Sequence, residues 1–152
     1  MTQSDSPTPQ SIIIGTIGHS PLIDQLIAEG KLDVSAVEGQ WESFLIQTVD
    51  EHLIVAGSDK RGTIYGIYDI SEKIGVSPWY WWADVPVRKS TSLYVEAGTY
   101  IQPSPKVKYR GIFINDEWPS FGGWASAQFG GLNSSMYGHL FELLLRLKAN
   151  YF

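Results

Sequence analysis

Residues 106–118, KVKYRGIFINDEW, constrain the fold of this chain more than any other stretch. Gly111-Ile112-Phe113-Ile114 is an apolar run, and Asn115-Asp116-Glu117 follows it at once. An uninterrupted apolar run predicts a short strand covered on both faces, as in a parallel sheet. Carboxylates just past the C-terminal end of such a strand stand where a (β/α)₈ barrel keeps its chemistry. A turn at Trp118-Pro119, a Gly/Ser-rich loop over 118–133 and a long amphipathic helix then complete one βα unit. The chain reaches Asn150-Tyr151-Phe152 where a second strand would begin. A whole barrel needs about 250 residues, so 152 residues predict a piece of a larger protein.

Composition narrows the function classes. Hydrophobic residues make up 43% and charged residues 18% of the chain, which is enough apolar surface for a packed core. The net charge of −5 and the absence of basic clusters argue against nucleic-acid binding. The chain has no cysteine, which excludes disulfides, thiolate chemistry and cysteine zinc sites. Its three histidines, His19, His52 and His139, form no H-x-x-x-H pair, so no metal site is expected. No apolar run approaches the length of a membrane span. Residues 1–11, MTQSDSPTPQS, lack the basic start and apolar centre of a signal peptide and are expected to be a flexible lead. Aromatic residues reach 13%, and Trp79, Trp81, Trp82 and Trp118 can stack on sugar rings or fill a core.

Upstream of the barrel-like stretch, Ile12-Ile13-Ile14 predicts a buried strand. A glycine-rich turn follows, then a helix with Ser20 as its cap and Pro21 in its first position. The turn matches neither phosphate-loop glycine pattern, and His19 is expected to be a turn residue. Residues 43–49 and 53–57 predict a hairpin, with a polar joint at 50–52. Residues 60–74 predict a helix with Ile64, Ile67, Tyr68, Ile70 or Ser71, and Ile74 inward. Gly62 and Gly66 inside it point to close approach to a sheet. Residues 76–87, VSPWYWWADVPV, predict a handover between domains, because neighbouring aromatics in an extended chain face opposite ways. Leu93-Tyr94-Val95 predicts a short strand, and 103–105 a connector. The final helix is capped by Asn133 or Ser134 and carries a stripe of Met136, Leu140, Phe141, Leu143, Leu144 and Leu147.

Asp116 and Glu117 are the candidate acid–base residues. Being adjacent, they point apart on an extended backbone and do not by themselves make a catalytic pair. A glycosidase needs two carboxyls about 5–5.5 Å apart for retention or about 6.5–9.5 Å for inversion. One of the two can bind sugar hydroxyls while the other pairs with an arginine. Asn115 either donates to a sugar hydroxyl or caps the turn.

RGTIYGIYDISEKIGVSPWYWWADVPV at 61–87, KYRGIFINDEWP at 108–119 and GLNSSMYGHLFELLLRLKANYF at 131–152 together resemble glycoside hydrolase family 115. The resemblance runs from Ile12 almost to the end of the chain. It implies a xylan α-1,2-glucuronidase that removes glucuronic acid, or its 4-O-methyl ether, with inversion and without a metal or other cofactor. The implied fold is α/β: a partial N-terminal α/β domain, then the first βα unit of an incomplete (β/α)₈ TIM barrel. On that plan residues 12–87 are the later part of the N-terminal domain, 88–105 a connector and 106–152 the start of the barrel. Asp116 and Glu117 match the family's acidic residues at the end of the first barrel strand, with Asn115 and Trp118 as substrate-binding neighbours. The implied partner is glucuronoxylan or its oligosaccharides, and the whole enzyme is expected to be secreted or extracellular and a homodimer. The 152 residues alone are expected to be inactive, since the partner carboxylate lies elsewhere. The rival readings are a non-catalytic carbohydrate-binding or interaction module and a truncated product without function.

Overall fold

The computed structural model describes residues 10–152. Most of the expected flexible lead, residues 1–9, falls outside the described residues, and Ser11 is tied to the sheet through its carbonyl, which accepts from Leu53 N–H at 3.1 Å. The chain forms two compact units. Among the described residues, one contains 10–76 together with Val87–Lys106, and the other contains Ser77–Pro86 and Val107–Phe152.

The first unit is a mixed α/β layer structure. Strands β1 (Ile12–Thr16), β2 (Phe44–Val49), β3 (His52–Gly57) and β4 (Thr99–Gln102) form one sheet in the order β1-β3-β2-β4. β1 runs parallel to β3, while β2 is antiparallel to both β3 and β4. The expected hairpin is present, with Val49 opposite His52 and Phe44 opposite Gly57. Asp50 takes a positive φ of 52° at its tip. Side chains alternate along each strand. Leu45, Val49, Ile54 and Ala56 join Ile13 in a buried cluster with Ile23 of helix α1 (Pro21–Ala28) and with Leu32, Val34 and Val37 of the following turn.

Helix α2 (Lys60–Lys73) is present as predicted, but a different face is buried. Gly62, Tyr65, Gly66 and Asp69 face inward, whereas Ile64, Ile67 and Ile70 are half-buried and Ile74 is exposed. The two glycines account for this. A methyl at Gly62 would sit 2.1 Å from the Ser43 carbonyl oxygen, and one at Gly66 would sit 2.6 Å from Val55 Cγ1. Bare backbone thus lets α2 lie close on the sheet, and the side chains that flank the glycines are set to the sides. The close approach inferred from the glycine spacing is what the structure has.

Leu93-Tyr94-Val95 is not a strand, and Tyr94 is 93% exposed. The strand lies further on. β2 offers its free edge from Gln47 back to Phe44, and Thr99–Gln102 occupies it. The segment 88–105, expected as a connector, therefore supplies a strand of the sheet. Among the described residues no helix is long and apolar enough to cross a membrane.

The second unit holds helices α3 (Phe121–Phe129) and α4 (Ser134–Arg146). α3 replaces most of the expected loop over 118–133. It ends at Gly130, whose φ of 76° and N–H bond to the Ser126 carbonyl close the last turn. Asn133 caps α4, its side-chain oxygen accepting from the N–H groups of Ser135 and Met136. Met136, Leu140, Leu143 and Leu144 are buried as predicted, while Phe141 and Leu147 are exposed.

The tryptophan-rich segment belongs to this unit. Trp81 stacks on His139 at 4.1 Å and 9° and meets Trp82, Trp124 and Phe129. Trp82 donates its indole N–H to the His139 carbonyl at 3.3 Å. Tyr80 donates to Glu142, which also accepts from Arg146 at 2.9 Å.

Candidate active site

The stretch that carries the candidate residues is held at its base by Arg110. Its guanidinium donates to the Lys148 carbonyl through Nε at 3.0 Å and Nη2 at 2.7 Å, and through Nη1 to the Val107 carbonyl at 2.9 Å. Its own carbonyl accepts from the N–H groups of Asn150 and Tyr151, and its N–H donates to Asn150 Oδ1. Gly111 and Tyr151 then form a parallel bridge. A methyl at Gly111 would lie 1.8 Å from the Tyr151 carbonyl oxygen, so only glycine admits this contact without a shift. The residues on either side of α3 and α4 thus meet as two parallel segments, the geometry of a crossover connection.

Beyond Gly111 the expected buried strand does not form: residues 112–117 have no regular pairing. Ile112 and Ile114 are half-buried and Phe113 between them is 87% exposed. This is the alternation of an extended segment covered on one side. Among the described residues the pairing is a single bridge, Gly111 to Tyr151.

Asn115, Asp116 and Glu117 are all exposed, and Trp118 is 72% exposed. They are consecutive on one irregular stretch, which passes through a turn over 118–120 with a cis Trp118–Pro119 peptide into α3. The Glu117 carbonyl accepts from Ser120 Oγ at 3.1 Å and from Gly122 N–H at 3.3 Å. The turn is therefore fixed through its backbone, and the two carboxylates and the indole are left facing outward. Chemically it offers two anionic acceptors, an amide and an aromatic face on one short stretch. Sequence reasoning placed these four residues together but missed what holds them. Ser120 and Gly122 carry the turn, and the signal for them is the glycine pair Gly122-Gly123. Among the described residues no three His, Asp or Glu side chains gather in a way that could hold a metal ion.

Comparison with known proteins adds the family. The model of glycosyl hydrolase family 115 matches residues 102–152, the part that carries the acidic turn. A solved structure matches with a TM-score of 0.82 and 41% sequence identity, over 91% of this chain and 19% of the other. It is described as a family GH115 4-O-methyl-alpha-glucuronidase, BtGH115A, with specificity for decorated arabinogalactans. This chain therefore spans well under a quarter of that protein's length. No curated protein matches the chain. An acidic turn inside the family-matched residues, and a fold shared with that enzyme at 41% identity, place the chain in glycosyl hydrolase family 115.

Proposed function

We propose that this chain forms the start of the catalytic barrel, with part of the N-terminal α/β domain before it, of an inverting α-glucuronidase. The observation that carries this reading is the 41% identity and TM-score of 0.82 to a 4-O-methyl-alpha-glucuronidase across 91% of the chain. The parallel bridge from Gly111 to Tyr151, spanning α3 and α4, supports residues 106–152 as a first barrel βα unit. Asp116 and Glu117 lie just past the apolar run, where such a barrel gathers its reacting groups. In this reading one of them orients the sugar or the attacking water, Asn115 donates to a sugar hydroxyl and Trp118 stacks on the ring. Inversion needs a second carboxylate about 6.5–9.5 Å away. Neighbouring residues point apart, so that partner belongs to another part of the enzyme.

The substrate is a polysaccharide side chain ending in glucuronic acid or its 4-O-methyl ether, with glucuronoxylan as the first choice. The similar enzyme's specificity for decorated arabinogalactans makes that polymer the second choice. The test is uronic acid release from both polymers by the whole enzyme that carries this chain. Asp116→Asn and Glu117→Gln are each made in it. At least one should lower kcat by about 10²-fold or more, the scale of a lost acid–base group. The 152 residues alone should release none. Full activity in both variants would remove these residues from the chemistry, and turnover by the 152 residues alone would remove the need for a distant carboxylate.

A further inference from the structure

The first turn of α3 has no side chain where it meets the acidic turn. A methyl at Gly122 would stand 2.7 Å from the Asp116 carbonyl oxygen, 3.5 Å from Trp118 Cε3 and 3.6 Å from the Glu117 carbonyl oxygen. The first of these is closer than real Cβ contacts allow, and the atom it meets is backbone, which cannot swing aside. Gly122 is buried and lies in the helix, so the position requires the missing side chain and not unusual dihedral freedom. Gly123 differs. A methyl there would lie 3.9 Å from Trp118 Cη2 and Cζ2 and 4.0 Å from Pro119 Cβ, which is ordinary contact. The indole thus rests along two bare residues of α3, while 72% of its surface is open.

We propose that Gly122 is a positioning residue for sugar binding. Its bare backbone lets α3 press against the Asp116 carbonyl and hold the Trp118 indole as a platform for the pyranose ring of the uronic acid. Asp116 and Glu117 stand beside that platform on the same turn. The inference rests on the reading that residues 115–118 face the sugar, and it adds what sets their geometry.

The test uses the whole enzyme that carries this chain and a glucuronoxylo-oligosaccharide as the probe. Affinity is measured by calorimetry. The Trp118 indole N–H resonance, assigned by its loss in Trp118→Phe, reports the platform. Gly122→Ala should shift that resonance and weaken binding by about tenfold or more, as expected when a positioned group is displaced. Gly123→Ala should leave both nearly unchanged. An unshifted resonance and unchanged affinity in Gly122→Ala would overturn the inference alone. Absence of binding by the unsubstituted enzyme would overturn the sugar-facing reading and this inference with it. Should Gly122→Ala fail to fold, Ser120→Ala decides the matter, because it removes one of the two hydrogen bonds that tie the Glu117 carbonyl to the start of α3, the other coming from Gly122 N–H, without adding volume. A shifted resonance with weaker binding in that variant supports the inference, and no change in either overturns it.

Discussion

Asp59 shows how much one side chain organises in the first unit. Its Oδ1 accepts from Gly62 N–H at 2.7 Å and caps α2, while its Oδ2 accepts from Glu42 N–H at 2.9 Å. Glu42 has a positive φ of 52°, is buried, and pairs with Arg61 at 3.2 Å. One carboxylate thus satisfies an orphan donor at the helix start and pins an uncommon backbone conformation before β2. Asp59→Ala should lower unfolding stability by about 2 kcal/mol, a cap and a second charge-assisted bond together. Urea titration measures it, and a loss below about 0.5 kcal/mol would show that water replaces both bonds. This role of Asp59 is not legible in the sequence, because the partner at Glu42 lies 17 residues away. The turn residues Asn115 to Trp118 were legible for the opposite reason. They are contiguous, and an apolar run ending in carboxylates is a local signal.

At the scale of elements, strands and helices were legible where apolar pattern and turn chemistry agreed, as in β1, the β2–β3 hairpin, α4 with its Asn133 cap, and α1, although Ser20 stands at the N-cap position of α1 without a side-chain capping bond. They were not legible where glycine replaced the pattern. In α2 the face against the sheet is made by Gly62 and Gly66 with Tyr65 and Asp69, so its isoleucines misreport the buried side. In α3, Gly122 and Gly123 lower helix propensity, and contact with the Trp118 turn overrides it. The same physics sets the sign of glycine-to-alanine changes. Helix propensity favours alanine by about 1 kcal/mol. At Gly138 in α4 an added methyl meets nothing within 4 Å, so Gly138→Ala should stabilise by up to about 1 kcal/mol. At Gly62 the methyl meets the Ser43 carbonyl at 2.1 Å, so Gly62→Ala should destabilise despite the propensity gain. Thermal or urea unfolding of the two variants checks the pair. A stabilised Gly62→Ala would mean that α2 can lift off the sheet at little cost.

For the molecule as a whole, chain order and compact unit do not coincide, and this limits what a linear reading can recover. The chain leaves the first unit after Val76, gives residues 77–86 to the second, returns for 87–106 and then completes the second. The aromatic run at 79–82, expected as a handover between domains, lies in the second unit, a destination that was not legible. Its contacts are with Trp124, Phe129 and His139, which lie more than forty residues further along. That assignment bears on the rival carbohydrate-binding module. Trp81 and Trp82 spend their ring faces on the unit's own aromatic cluster, and Trp79 is the exposed one of the three. Trp81→Ala should therefore act on structure. It removes a ring that meets four others and should cost about 3 kcal/mol, the low end for a large aromatic because Trp81 is only half-buried. Hydrogen exchange resolves where the loss falls: amides of α3 and α4 should exchange faster by about two orders of magnitude, since 1.4 kcal/mol is tenfold in an opening equilibrium. Trp79→Ala should leave the same amides nearly unchanged. Unchanged protection in Trp81→Ala would mean that α3 and α4 are held by their own contacts. The tryptophan run would then be free for the sugar-stacking role that its composition first suggested.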